Sequence, residues 1–491
     1  MSGTRAIFIA TVAAFISAAA GASIAADEPT VRVGFTRAGG GYAVESIPLE
    51  TYVARVLAGE AARDSPPAAL DALAITIRTF ALANRGRHRA DGFDLCDATH
   101  CQVVRAATAA TVASAARTAG RILLAAGAPA AIYYTASCGG RTEIPSAVWP
   151  GASDPPYLPS RPDEACGGAP RWETEISDGD LLHALRAAGF SGGRVRAVAV
   201  VARDASGRVA RLALEGMSPG EISGQDLRVA VGRTLGWQRI KSAAFDVERV
   251  RNGFHLTGHG SGHGVGLCVI GSVHLAAGGG SAAAILARYF PGLAISPAAP
   301  AASITGITAT TAIAKKREAE AVEGISVSLP DGDEGERVSI GESIARARTQ
   351  LARALGIAAP AVLIVRVHPT IDSFERASGR AWFFSGAIVN GELHLPPLAA
   401  LRQRGILERT IRRELVHAMI DRELESRPLW VRDGAALYFA DASGGDRGAA
   451  RGSCPADREL TQPVSLAAAY TRARSCFARQ IAAGRSWHEV R

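Results

Sequence analysis

The spacing of apolar and polar positions changes along this chain, and each change marks an element. Val31-Arg32-Val33-Gly34-Phe35 alternates and predicts a strand. A mixed run, Ile47-Pro48-Leu49-Glu50-Thr51-Tyr52-Val53, then leads to Glu60. From Ala68 to Ala83, Leu70, Leu73, Ile77 and Phe80 recur at helical spacing. Ser65-Pro66-Pro67 stands before them as a start signal, because Ser can cap and Pro is tolerated in a first turn. Ile132 to Thr135 reads as a short strand entering the turn Cys138-Gly139-Gly140. Between Arg194 and Glu215, two apolar runs flank Asp204-Ala205-Ser206-Gly207 in a hairpin pattern. Gly253 to Thr257 is strand-like and enters Gly258-His259-Gly260-Ser261-Gly262-His263-Gly264. A helix is expected at about Ala282 to Tyr289.

Pro297 to Thr311 is rich in Ala, Pro, Ser and Thr, and Lys315 to Glu323 is charged, as in a linker. Beyond it come a helical pattern around Ile344 to Leu355, a strand near Val362 to Val367 and a helix-rich end. No internal repeat is present. The order of elements predicts an α+β protein. A mixed α/β unit at 27–296 is followed by a linker at 297–323 and a smaller, helix-rich unit at 324–491.

Composition narrows the function classes. The 491 residues are 48% hydrophobic and 20% charged, enough to bury sizeable cores. The net charge of +8 is spread thinly, without a dense basic block interleaved with aromatics. Nucleic acid is therefore not an expected partner. Arg5, an apolar stretch from Ala6 to Ala20, and Ala22-Ser23-Ile24-Ala25-Ala26 read as a signal peptide at 1–26. Export to the periplasm or cell envelope is expected, with no membrane span once the signal is removed. Such a compartment favours disulfides among the seven cysteines, and Cys138 with Cys166 and Cys454 with Cys476 are neighbours in chain order.

Several separated motifs carry a family resemblance. They are Leu49-Glu50-Thr51-Tyr52-Val53 through Glu60, Ala69 to Phe80, Asp94-Leu95-Cys96-Asp97 with Thr99-His100-Cys101-Gln102, and Tyr133-Tyr134-Thr135-Ala136-Ser137-Cys138-Gly139-Gly140-Arg141-Thr142-Glu143. Trp149 with Pro156-Tyr157-Leu158, Gly262-His263-Gly264-Val265-Gly266-Leu267 and Tyr289-Phe290-Pro291-Gly292 follow in order. Over residues of about 31 to 295 the chain resembles the SpoIID/LytB family, named for stage II sporulation protein D. The resemblance implies a SpoIID-like domain acting on peptidoglycan glycan strands. It implies either a lytic transglycosylase that leaves 1,6-anhydro-N-acetylmuramic acid ends, or a non-catalytic relative that enhances a cell-wall amidase.

The same resemblance makes Glu60 the catalytic acid. Ordinary glycosidases need two carboxyl groups. A lytic transglycosylase needs one, because the muramic acid's own C6 hydroxyl is the nucleophile. That acid must be neutral before cleavage, so burial should raise its pKa. The neighbours in Leu57-Ala58-Gly59-Glu60-Ala61-Ala62 are small or apolar and permit this. Ser137, Cys138, Gly139, Gly140, Gly262, His263 and Gly264 lie in glycine-rich turns that are expected to wall the sugar groove. Tyr157, Trp149 and Tyr133 either stack on sugars or belong to the core. The family usually carries Gln where this chain has Val269.

Cys96, His100 and Cys101, with His88 nearby, suit a structural zinc site, while Cys96 and Cys101 alone suit a local disulfide. Catalysis itself requires no cofactor. Residues 411 to 440 resemble the paired helices of peptidase MA-like (gluzincin) enzymes, His-Glu-x-x-His followed by Trp-x-x-Glu-Gly. Arg413 stands at the first His position, Glu414 and His417 remain, and Asp433 replaces the later Glu. Arginine cannot ligate zinc, so a degenerate peptidase fold is expected, with Arg413 paired to Glu414 or Asp433.

Overall fold

The computed structural model describes residues 29–37, 41–99, 101–167, 170–297, 324–441 and 453–491. The expected signal segment, residues 298–323 of the expected linker, and His100 lie outside the described residues. The chain is mixed α/β, as its patterning requires. Among the described residues, no helix is long and apolar enough to cross a membrane.

The first core begins with the alternating strand Thr30–Thr36, which turns Val31 and Val33 inward. It pairs antiparallel with Tyr42–Pro48 and parallel with Leu95–Cys96. Pro48 ends the second strand and stands at the N-cap of α1, Leu49–Glu60. α1 buries Leu49, Tyr52, Val53, Val56 and Leu57, the stripe expected of a helix packed on one side. α2, Pro67–Ala83, is buried on almost every face and forms the spine of this unit. Its start differs from expectation. Pro66 takes the capping position and Ser65, one residue too early, donates its hydroxyl to the Ala62 carbonyl at 2.7 Å. The fully buried Arg78 of α2 is paired with Glu50 in the first turn of α1 and donates to the Arg121 carbonyl at 3.0 Å. One guanidinium thus ties both helices to the strand Arg121–Ala125.

Residues 27–296, expected as one unit, contain two cores. The chain leaves the first core at strand Arg171–Ser177 and returns along Gly253–His259, which pairs antiparallel with it. At the base of this exit, the Gly260 amide donates to the Pro170 carbonyl at 2.8 Å. Between these strands lies a separate apolar cluster that includes Phe190, Leu212, Val231, Phe245 and Phe254. The expected hairpin is there, as strands Ser191–Arg203 and Val209–Ser218.

The C-terminal region has its own core. Its sheet runs Ile325–Ser328, Leu363–Val367, Glu392–Leu395, Ala387–Val389, with the first three strands parallel and the last antiparallel. Helices Arg337–Leu355, Leu407–Ile420, Leu429–Ala440 and Pro463–Ala482 pack with it. Cys454 and Cys476 form a disulfide. Cys138 and Cys166, also neighbours in chain order, are not bonded to each other; their sulfurs lie within 4.8 Å of one another and of a third thiol, Cys268.

Charged side chains join the three parts. Arg402 of the C-terminal region pairs with Asp226 of the inserted part at 2.6 Å and also with Glu336. Arg233 reaches Asp333 at 3.1 Å, and Arg366 reaches Asp91 at 2.8 Å. The buried Trp149 donates its indole N–H to the Gly332 carbonyl at 3.3 Å and lies flat against Gly335, where a Cβ would come within 2.0 Å of the ring. Removing one partner of a buried ion pair leaves the others uncompensated. Arg402→Met should therefore destabilise the chain by about 3–5 kcal/mol, read as an earlier transition in urea. An unchanged midpoint would show that this junction carries no stability.

Candidate functional site

Glu60 is the last residue of α1, where the chain turns from helix into extended backbone at Ala61. Its neighbour Gly59 has a local reason to be glycine. A Cβ there would meet the Val103 carbonyl oxygen at 2.2 Å, so only glycine lets segment 103 come this close. That approach brings the Val103 amide to 2.8 Å from Glu60 Oε1, to which it donates. The Tyr134 hydroxyl hydrogen-bonds the same carboxyl group. Burial raises the Glu60 pKa, while the Val103 amide, the Tyr134 hydroxyl and the Arg105 charge oppose the shift without cancelling it.

Tyr134 is the end of a buried relay of polar groups. The Tyr52 hydroxyl donates to Gln102 Oε1 at 3.0 Å, and Gln102 Nε2 donates to the Tyr134 oxygen at 3.3 Å. Tyr52 comes from α1, Gln102 from the loop after Cys101, and Tyr134 from the strand Tyr134–Thr135. Gln102 is fully buried. These three residues lie within the motifs quoted above, yet the sequence reading gave them no role. Each sits among other polar residues in its segment, so no local pattern marks it out. Only the fold shows that they meet.

Glu60 opens onto a cavity of about 240 Å3 shared by all three parts of the molecule. The first core supplies Glu60, Tyr133, Tyr134 and His263. The inserted part supplies Gln225, Arg228 and Trp237, and the C-terminal region supplies Gly332 and Glu334. Arg228 sits 5.2 Å from the centre of the Trp237 ring. His263 is held neutral. Burial and the charges of Arg228 and Arg208 push its pKa down to about 3. Its Nδ1 accepts the Val265 amide at 3.1 Å, which places the ring proton on the other nitrogen.

The glycine-rich turns divide. Gly262 and His263 line the cavity. Gly262 has φ +99°, and a Cβ there would lie 2.3 Å from Thr135 Oγ1. Ser137, Cys138, Gly139, Gly140 and Gly264 do not line it, contrary to expectation; Thr135 and Ala136 take their place. The chain leaves the cavity after Ala136, and the turn beyond it is taken up by other contacts. Ser137 is bonded through its backbone to Ser261, the Cys138 carbonyl accepts from Arg208, and Gly264 is pressed against Arg208. Tyr157 also stands off the cavity, with its hydroxyl on the Ala131 backbone. Trp149 is core, whereas Tyr133 faces the cavity, 4.8 Å from Trp149 between ring centres.

His88, Cys96 and Cys101 bring three ligand atoms within 4.8 Å of one another, all buried. The two cysteines are not joined. Asp91 bonds His88 Nδ1 at 2.9 Å, and His88 also hydrogen-bonds Cys101. The donor set suits zinc. In the C-terminal region, Arg413 pairs with Glu414 at 2.8 Å, one of its two expected partners. His417 lies 2.9 Å from Asp421 and 3.5 Å from Asp433. Burial works against a charged His417, yet Asp421, Glu414 and Asp433 outweigh it and raise its pKa. These groups line a cavity of about 110 Å3.

Comparison with known proteins adds independent findings. Residues 38–124 match the family model described as Stage II sporulation protein, a span that includes Glu60, Cys96 and Gln102. Residues 148–266 match a model described as Domain of unknown function (DUF8618), which covers the inserted part and His263. An uncharacterized protein of Brachyspira hyodysenteriae is 28% identical over 257 residues, 51% of this chain and 67% of its own. Stage II sporulation protein D of Bacillus amyloliquefaciens is 27% identical over 275 residues, 52% of this chain and 76% of its own. Its namesake in Bacillus subtilis is 27% identical over 281 residues, with the same shares. The N-terminal part is therefore similar to stage II sporulation proteins. None of these matches is to a zinc peptidase, so the gluzincin resemblance gains no support from them.

Two outcomes follow from the electrostatics. A carboxyl whose folded pKa is raised binds its proton more tightly in the native state, so stability falls as pH rises through that window. Glu60→Gln removes this cost. The variant should match or exceed the parent in urea at pH 7, and the gap should close near pH 4; a variant weaker at pH 7 contradicts the burial argument. For His263, imidazole NMR signals should stay those of the neutral ring from pH 8 down to pH 5, and a titration near 6.5 would refute its placement.

Proposed function

We propose that the chain is a lytic transglycosylase that cuts peptidoglycan glycan strands between N-acetylmuramic acid and N-acetylglucosamine. The observation that carries this reading is the Glu60 carboxyl, raised in pKa by burial, held by an amide and a phenol, and open to a cavity. Similarity to stage II sporulation protein D supports a cell-wall role of the sporulation-related kind. The signal-like N-terminus suits action outside the cytoplasm, where this polymer lies.

The chemistry needs one acid. Glu60 gives its proton to the glycosidic oxygen, and the bond from that oxygen to C1 of the muramic acid breaks. The C6 hydroxyl of the same sugar bonds to C1, and its proton returns to Glu60. The products are a 1,6-anhydro end and a free N-acetylglucosamine hydroxyl. The Val103 amide and Tyr134 hydroxyl stabilise the carboxylate between the two transfers. Neutral His263, its ring fixed by the Val265 amide and the Tyr134 backbone, shapes the wall beside the sugar without adding charge. Tyr133 and Trp237 present aromatic faces for sugar rings. His88, Cys96 and Cys101 would hold a structural zinc that fixes the loop leading to Gln102.

Glu334 at the same cavity favours a second reading, ordinary hydrolysis with two carboxyl groups. The ends of the products separate the two. Digests of purified glycan strands, read by mass spectrometry, should contain anhydromuramic ends, and Glu60→Gln should lower their release by at least about 10²-fold. Reducing ends alone would move the assignment to hydrolysis. A silent Glu60→Gln, with activity only when a cell-wall amidase is added, would make the chain a glycan-binding enhancer.

A further inference from the structure

Behind the cavity wall lies a cluster that the proposed chemistry does not use. Cys138, Asp163, Cys166 and Cys268 are all buried, and their ligand atoms lie within 4.8 Å of one another. Three separated segments supply them. Cys138 follows the strand Tyr134–Thr135, Asp163 and Cys166 share a loop, and Cys268 caps helix Val269–Ala277.

The surroundings suit thiolates. Cys268 Sγ accepts the amides of Gly271 and Cys138, each at 3.3 Å. Cys166 Sγ lies 3.1 Å from the Ser137 hydroxyl. Asp163 is oriented from outside the cluster by the Tyr289 hydroxyl at 2.8 Å and by Arg288 at 3.3 Å. The wall is tight, since a Cβ on Gly271 would stand 2.1 Å from the Tyr289 oxygen and 2.7 Å from Asp163 Oδ2. A single disulfide would use two of the three thiols and leave the third buried against it.

We propose that Cys138, Cys166, Cys268 and Asp163 hold a structural zinc ion, separate from the His88, Cys96 and Cys101 group. Zinc–sulfur bonds of about 2.3 Å in a tetrahedron place sulfurs about 3.8 Å apart, inside the observed spread. Soft thiolate donors select zinc over hard cations. Four protein ligands leave no open position, so the ion does no chemistry. Three thiolates and a carboxylate exceed the charge of a dication, and Arg288 offsets part of the surplus. The ion would clamp strand Leu267–Cys268 to its parallel partner Tyr134–Thr135, and with it the cavity wall bearing Tyr134 and His263.

The test uses the full chain purified from zinc-supplemented cells, with metal measured by plasma mass spectrometry. Cys268→Ser and Asp163→Asn should each lose about one zinc per chain, both in the parent and in a Cys101→Ser background that removes the other group's ion. A second measurement avoids variants. In the native parent, Cys138, Cys166 and Cys268 should resist alkylation until a chelator is added, with no reductant needed. Unchanged zinc in both cluster variants overturns the proposal. So does a Cys138–Cys166 disulfide peptide that opens only with reductant.

Discussion

The site depends on keeping one carboxyl group out of water while still bonding it. Burial alone would favour a neutral Glu60 but leave its oxygens unsatisfied. The Val103 amide and the Tyr134 hydroxyl answer that need, and Gln102 and Tyr52 hold Tyr134 in turn. A satisfied buried network of this kind has one low-energy arrangement, which makes it rigid. It also explains Gly59, because the backbone at Val103 can reach the carboxyl only where no Cβ intervenes.

Around this network the molecule is assembled from three cores that meet at a single cavity. The first core fixes Glu60. The inserted part adds Arg228 and Trp237. The segment around Gly332 and Glu334 closes another side, pinned by the Trp149 indole and by Arg233 on Asp333. The C-terminal region is therefore tied to the Glu60 cavity by its first few described residues, whatever its own pocket around His417 does.

The two clusters of metal-type donors brace this arrangement from different sides. His88, Cys96 and Cys101 sit at the strand that pairs with Thr30–Thr36, just before the loop that carries Gln102. Cys138, Asp163, Cys166 and Cys268 sit behind the strands that carry Tyr134 and lead on from His263. Each cluster lies a few residues from a member of the Glu60 network, Cys101 next to Gln102 and Cys138 four residues beyond Tyr134.

Local patterning was enough for much of the molecule. Alternation placed Thr30–Thr36 and the hairpin at 191–218, and helical spacing placed α2 and Ala282–Tyr289, because those periods arise from backbone geometry within a few residues. The ordered motifs likewise singled out Glu60, Cys96, Cys101 and His263 from the chain itself. Which glycine turn faces the cavity, why Cys138 meets Cys268 rather than bonding Cys166, and how Glu334 reaches the wall were decided only by tertiary structure. Those outcomes depend on contacts between segments 100 or more residues apart, and the free energy of such contacts belongs to packing and burial, which no local spacing encodes.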